Sequence, residues 1–197
     1  GMIIEPVQGY GGIIAMPQGY LSGAFEQIRA AGGVCVVDEV QSGFGRTGDH
    51  FWAFEGHGVI PDIVVMAKGI GNGFPLGAVV AKKNISESMA GKFCFHTYGA
   101  SPVSCAAGRA ALRVMQLENL QENARVVGAA LLERLFDLQQ RYPSIGDVRG
   151  RGLMLAIEMV KDQQSKTPDP ETTAAVFESA RDHVLILSKS GPLRSVM

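Results

Sequence analysis

An α/β fold with a mostly parallel sheet and crossover helices is predicted by three observations. Short apolar runs, "VCVVD" (34–38), "DIVVMA" (62–67) and "GAVVAK" (77–82), recur with no polar alternation. Runs of that kind read as strands covered on both faces, as parallel strands are. A segment of helical period separates "GMIIEPV" from the first of these runs, and strand, helix, strand in that order calls for a crossover. The chain's 197 residues are 46% hydrophobic, which is enough for a packed core in one or two domains.

"GMIIEPV" reads as a buried strand, and Pro6 gives it an extended exit. Over 20–31, Leu21, Ala24, Phe25 and Ile28 fall on one helical face, and Gly32 and Gly33 stop the helix. The three apolar strands follow. Asn84 is placed to cap a short helix over 85–90. Residues 102–141 are helix-rich, with a break near "LENLQEN" and an apolar face of Leu117, Leu120, Val127, Leu131, Leu135 and Leu138. "GRGLMLAIEMV" (150–160) reads as a further strand, "KDQQSKTPDPE" as a polar loop, 171–183 as an amphipathic helix and "VLILS" (184–188) as a last strand. Composition shifts near residue 100. It divides the chain into an α/β part over 1–100, connecting helices over 101–141 and part of a small α/β domain over 142–197. No internal repeat is visible.

Charge and cysteine usage exclude several classes. Net charge is −1 and no basic stripe forms, so nucleic acid and anionic membrane are not the expected partners. No apolar segment approaches a membrane span, and the first residues lack the charged head and apolar core of a secretion signal. Cys35, Cys94 and Cys105, odd in number and widely spaced, read as reduced thiols of an intracellular protein, cytoplasmic or mitochondrial. The four histidines show no HExxH pairing and the cysteines no CxxC, so no metal site is expected.

Four places carry candidate chemistry. In "VVMAKGIGNGFPLG" (64–77), Lys68 ends an apolar strand and precedes a glycine-rich bend. The glycines match neither a P-loop, whose lysine follows them, nor a G-x-G-x-x-G fingerprint. Two readings stand: a solvated loop lysine, or a Schiff-base nucleophile at the carboxyl end of a strand, where α/β sheets bind ligands. Asp38 ends the strand "VCVVD" at the same sheet edge, with Glu39 pointing elsewhere by strand alternation. Asp38 either caps the following turn or faces a cationic partner such as a protonated pyridine nitrogen. In "IIEPVQG", Glu5 reads as a strand-end residue and Gln8 as a donor and acceptor. Thr97 lies in a polar loop just before a helix, which suits an ST-turn or a phosphate contact.

Taken in order, "EPVQG", "VDEVQSGFGRTG", "PDIVVMAKGIGNGFPLGAV", "HTYGASPVSCAAG" and "GDVRGRGLM" resemble the class III aminotransferases, pyridoxal-phosphate (PLP) enzymes of fold type I. The resemblance covers essentially the whole chain. It implies that 1–100 is part of a large cofactor-binding domain. It also implies that Lys68 links covalently to the cofactor, that Asp38 pairs with the pyridine nitrogen, and that Val40 packs on the ring face. Gln41 would lie near the ring hydroxyl. Thr97 would reach the PLP phosphate of a partner subunit, which implies a homodimer with shared sites. The expected reaction moves an amino group from alanine or a β-amino donor to an oxo acid such as glyoxylate or pyruvate.

Two departures qualify the resemblance. Members acting on γ- or δ-amino groups carry a second glutamate five positions after the one at Glu5; here Tyr10 stands there, which argues against such substrates. Members are also longer, and the usual carboxylate-gripping arginine has no match, Arg149 and Arg151 not being that residue. The chain is therefore expected to be a fragment or a degenerate copy. Two alternatives follow: a PLP-dependent phospho-lyase, whose relatives look similar around "SPVSCA" and "VLILSKSGPLRSV", and a non-catalytic fragment that folds on a partner.

Overall fold

A computed structural model describes residues 1–197. In chain order the elements are β1 (Met2–Ile4), β2 (Val7–Gln8), β3 (Ile14–Ala15), α1 (Tyr20–Ala30), β4 (Cys35–Asp38), β5 (Ile63–Met66) and β6 (Ala78–Ala81). They continue with α2 (Lys83–Glu87), α3 (Pro102–Leu117), α4 (Leu120–Arg141), β7 (Ile145–Arg151), β8 (Met154–Met159) and α5 (Pro170–Asp182). The chain forms two units, one of residues 1–6 and 16–122, the other of residues 7–15 and 123–197.

The first unit holds a four-stranded sheet in the order β1-β4-β5-β6. β1, β4 and β5 run parallel; β6 returns antiparallel to β5. The mostly parallel α/β sheet expected from the apolar runs is therefore present. α1 is the crossover between β1 and β4: Leu21 and Phe25 are buried against Cys35 and Val37, with Val59 completing the cluster. At the opposite sheet edge from Asp38, Asp62 precedes β5. It receives Arg29 from α1 (3.0 Å), Lys82 beyond β6 (2.6 Å) and the N–H of Cys35 (2.9 Å).

The expectation that the strands are covered on both faces is corrected. The strand residues on the α1 side, Cys35, Val37 and Met66, are buried. On the other face Ile3 is 75% and Val79 65% exposed, and Val36 and Asp38 are only half-buried. The face away from α1 is open at Ile3 and Val79, and the β-branched runs report strand propensity as well as burial.

The second unit is built on the antiparallel hairpin β7–β8, with a small hairpin β2–β3 lying against β7. Its core joins Ile145, Val148 and Met159 to Leu132, Leu135 and Leu138 of α4. The stretch 150–160 is thus not one strand: the chain turns at Gly152 and Leu153, and Gly150 has φ +130 with no room for a Cβ, which would meet the Met154 carbonyl oxygen at 2.1 Å. The helical region breaks where the sequence indicates, at Glu118–Asn119, with Asn119 at φ +50.

Two further expectations are corrected. Residues 184–188 form no strand. Val184, at φ +60, donates to the Arg181 carbonyl and Leu185 to the Ala180 carbonyl, a Schellman ending of α5 that consumes the first two residues of the apolar run. The rest of the run pairs with no other strand, and Ile186 is 94% exposed. The short helix begins one residue before Asn84, at Lys83, with Lys82 at its N-cap. Asp169 caps α5, accepting from the Thr172 N–H at 2.9 Å with Pro170 following at the first helical position.

Candidate active site

The strand ends of the first unit bring Asp38 and Lys68 to one edge of the sheet. Asp38 is the last residue of β4 and lies opposite Val65 of β5. The N–H of Glu39 donates to the Val65 carbonyl at 2.9 Å, so the ladder holds to the strand ends. Met66 ends β5, and Lys68 opens a 3-10 turn over Lys68–Ile70. In open α/β sheets this carboxyl edge is where ligands bind.

Lys68 is exposed, and its φ is +44, in the left-handed region that favours glycine. A lysine gains nothing locally from that conformation, which costs roughly 1–2 kcal/mol, so the surroundings impose it. The Lys68 carbonyl accepts from Gly71 N–H (3.1 Å) and Asn72 N–H (3.0 Å), closing the turn. A Cβ on Gly71 would meet the Phe74 carbonyl oxygen at 2.2 Å. One on Gly69 would meet Phe44 Cδ2 at 3.1 Å, and one on Gly108 of α3 would meet Leu76 Cδ2 at 2.5 Å and the Ile70 carbonyl at 3.1 Å. The glycines are there for close approach, from the aromatic loop on one side and from α3 on the other.

Phe44 stands on the loop that follows Asp38. It packs edge-on against Phe51 and Trp52, with ring centroids 5.7 and 4.9 Å away. The Asp38 loop and the Lys68 turn therefore share a packed base. Asp38 itself is half-buried and accepts from the Val40 N–H at 2.9 Å through Oδ1, the turn-capping contact that the sequence left open. That bond engages one of its two oxygens. Val40 and Gln41, both half-buried, complete the turn.

Glu39 points away from Asp38, as strand alternation predicts, but into a set of partners that the sequence does not name. It is 0% exposed. Its Oε2 accepts from Ser42 Oγ at 2.7 Å and its Oε1 from the Phe54 N–H at 2.9 Å. Burial pushes its carboxyl above the usual range, against the pull of these hydrogen bonds. The signal was its place: a carboxylate next to a strand-end aspartate must face the packed side of the sheet.

Thr97 is exposed in the loop before α3, and nothing joins it to Lys68 or Asp38 by hydrogen bond. Glu5 follows β1 in the first unit, whereas Gln8 lies in β2 of the second. Tyr10, also in the second unit, is exposed on a loop whose Gly12 carbonyl accepts from Arg149 Nε (2.9 Å) and Nη2 (2.7 Å). Arg149 also pairs with Asp147 and Glu158, each at 2.6 Å, and so serves as a scaffold cation. No cluster of three or more histidine, cysteine or carboxylate groups is arranged to hold a metal ion, and no helix is long and apolar enough to cross a membrane.

Comparison with known proteins follows the same line. The family model described as aminotransferase class III matches residues 1–197. The mitochondrial alanine–glyoxylate aminotransferase 2 homolog 2 of Arabidopsis thaliana is 49% identical over 191 residues, 97% of this chain and 40% of its own length. A phospholyase from Arthrobacter, solved with phosphoethanolamine, superposes with a TM-score of 0.93 at 38% identity, covering 98% of this chain and 46% of that one. An amine transaminase from an uncultivated Pseudomonas species, solved in its PLP-bound form, superposes with a TM-score of 0.91 at 36% identity, covering 98% and 45%. The chain spans less than half the length of each of these proteins.

Proposed function

The chain belongs to the class III aminotransferases, and from that premise we propose that it carries the cofactor-binding core of a PLP-dependent transaminase. The reaction moves an amino group from alanine or a β-amino donor to an oxo acid such as glyoxylate or pyruvate. The observation that carries the reading is the pair of adjacent parallel strand ends, one closing on Asp38 and the other delivering Lys68 on a strained, glycine-buttressed turn.

The residues present suit the cofactor. An exposed primary amine suits capture of an aldehyde, and a strand-end carboxylate on the neighbouring strand suits a protonated ring nitrogen. When bound, PLP supplies an electron sink for the bonds at the substrate's amino carbon. Lys68 would hold it through Nζ. Displaced by the donor's amine, Lys68 Nζ would take the proton from the donor's amino carbon and pass it to the cofactor's aldehyde-derived carbon, so that water could release the oxo acid and leave the amino group on the cofactor. Asp38 would keep the proton on the ring nitrogen. Val40 would pack on the ring face and Gln41 reach its hydroxyl. Thr97 would serve the phosphate of a second copy, which makes the working form a homodimer with shared sites. Tyr10, in place of the gating glutamate, points to alanine-like and β-amino donors over 4-aminobutyrate and ornithine. The Arabidopsis relative is named mitochondrial, and the same compartment is proposed for this chain.

The likeness to the Arthrobacter phospholyase supports a second reading, elimination of phosphate from a phosphorylated amine with the same Lys68 and Asp38. One assay separates them. The transaminase forms pyruvate and glycine from alanine and glyoxylate; the lyase releases inorganic phosphate from phosphoethanolamine with no amino transfer. A monomeric protein that takes up no PLP and does neither is a non-catalytic fragment. Rapid turnover of 4-aminobutyrate contradicts the specificity read from Tyr10.

A further inference from the structure

We propose that Glu39 is the positioning residue of this site: its buried carboxylate sets the strand end so that Asp38 presents its free edge to the cofactor's ring nitrogen. The proposal rests on the reading of Lys68 and Asp38 given above.

Successive side chains on a strand point to opposite faces. Asp38 lies on the sheet face away from α1 and is held by one bond, from the Val40 N–H. Its direction is therefore set by the main chain that carries it. Glu39 fixes that main chain at four points. Its N–H donates to Val65 (2.9 Å), its carbonyl accepts from Gly43 N–H (3.0 Å), and its two carboxylate oxygens take Ser42 Oγ (2.7 Å) and Phe54 N–H (2.9 Å). These partners lie on β5, on the turn after Asp38 and on the short helix over Ala53–His57, so one residue joins three elements. No slack remains around it, since a Cβ on Gly43 would come within 2.8 Å of both the Glu39 carbonyl oxygen and Trp52 Cζ3.

Burying a carboxylate is costly, and an apolar side chain would fill the space at lower cost. What an apolar residue would not supply is a directional tie to both Ser42 and Phe54. A hydrogen-bonded carboxyl kept at 0% exposure beside Asp38 is thus explained by orientation.

The test titrates PLP into the wild type and into Glu39→Gln, Glu39→Ala, Ser42→Ala, Asp38→Asn and Asp62→Asn. It reads the dissociation constant and the pH midpoint of the visible absorption band. Glu39→Gln keeps an acceptor for Phe54 and a group within reach of Ser42, and is expected within about twofold of wild type. Glu39→Ala is expected to bind about tenfold more weakly, as the loss of a hydrogen bond to a charged group implies, and to move the midpoint in the same direction as Asp38→Asn. If Glu39→Ala does not fold, Ser42→Ala carries the test, with a smaller shift of the same sign. Asp62→Asn destabilises the same sheet at its other edge and is expected to leave both readings unchanged.

Wild-type behaviour in Glu39→Ala, or in Ser42→Ala where the alanine variant at 39 is unfolded, overturns the proposal. So does an Asp62→Asn effect as large as that of Glu39→Ala, which would mean general loosening. A Glu39→Gln variant as weak as Glu39→Ala would assign the effect to charge and overturn positioning. Failure of the wild type to bind PLP, or an Asp38→Asn variant that leaves the midpoint in place, overturns the reading of the site itself and this proposal with it.

Discussion

The N–H of Glu39 donates to the carbonyl of Val65 at 2.9 Å, and this bond ties the strand end carrying Asp38 to the strand that delivers Lys68 three residues later. Two groups of opposite charge, thirty positions apart in sequence, thereby share one sheet edge. Their separation is governed by a β ladder, and the turns beyond it add only a few residues.

The strain at Lys68 is open to measurement. At φ +44 a side chain of any size bears the cost of the left-handed region, and glycine does not. Lys68→Gly is expected to be more stable to urea than Lys68→Ala by about 1 kcal/mol. Both should fail to capture PLP. An alanine variant as stable as the glycine variant would show that the turn is relaxed.

Gly71→Ala tests the close approach inside the same turn. The added Cβ would stand 2.2 Å from the Phe74 carbonyl oxygen, a backbone atom that has to move. A loss of about 1–3 kcal/mol is expected from overpacking of this kind, with weakened PLP capture, as read by urea unfolding and by the visible band. A neutral substitution would contradict the packing described.

Asp62 anchors the opposite edge. Burial opposes its charge, but hydrogen bonds from Lys82 and Arg29 and from the Cys35 N–H outweigh that and hold the carboxyl well below the usual range. A depressed folded pKa means stability that is present above the ordinary value of 3.8 and is lost as pH falls below it. Asp62→Asn is expected to cost about 1–2 kcal/mol at pH 7, discounted because both cations are partly exposed. The difference from wild type should shrink in acid. A cost independent of pH would contradict the assignment.

Glu39 has the opposite sign. Its folded pKa is raised by burial, so between the ordinary value of 4.5 and the raised one the folded state binds more protons than the unfolded. Stability contributed by Glu39 therefore increases as pH falls through the raised value and levels off below 4.5. Relative to Glu39→Gln, which does not titrate, wild type should gain stability on mild acidification, as denaturant midpoints at stepped pH would record. A wild type that loses ground to Glu39→Gln over that window would contradict the burial cost.

Much of this was legible in the sequence, for reasons that also explain what was not. The apolar runs gave β4, β5 and β6 because continuous β-branched stretches have few other solutions; Gly32 and Gly33 marked one helix end and "LENLQEN" the helix break, where Gly32 and Asn119 take the left-handed backbone. Composition does not report which face of a sheet is covered, so the open face beneath Ile3 and Val79 was missed. The hairpin β7–β8 was hidden because its turn, Gly152 and Leu153, sits inside what reads as one apolar segment. The failed strand at 184–188 shows a local helix stop overriding β propensity. At the site, Asp38 and Lys68 were visible because both end apolar strands. The part played by Glu39 was not, since its partners Ser42 and Phe54 are set by the course of a loop.

The most direct test mixes the protein with PLP, reduces it with borohydride and maps the modified lysine by mass spectrometry. The account predicts a single label on Lys68, abolished in Lys68→Ala. Lys82 is engaged by Asp62 at the far edge of the sheet, and Lys83 is exposed at the start of α2. A label on Lys82 or Lys83 that persists in Lys68→Ala would contradict it.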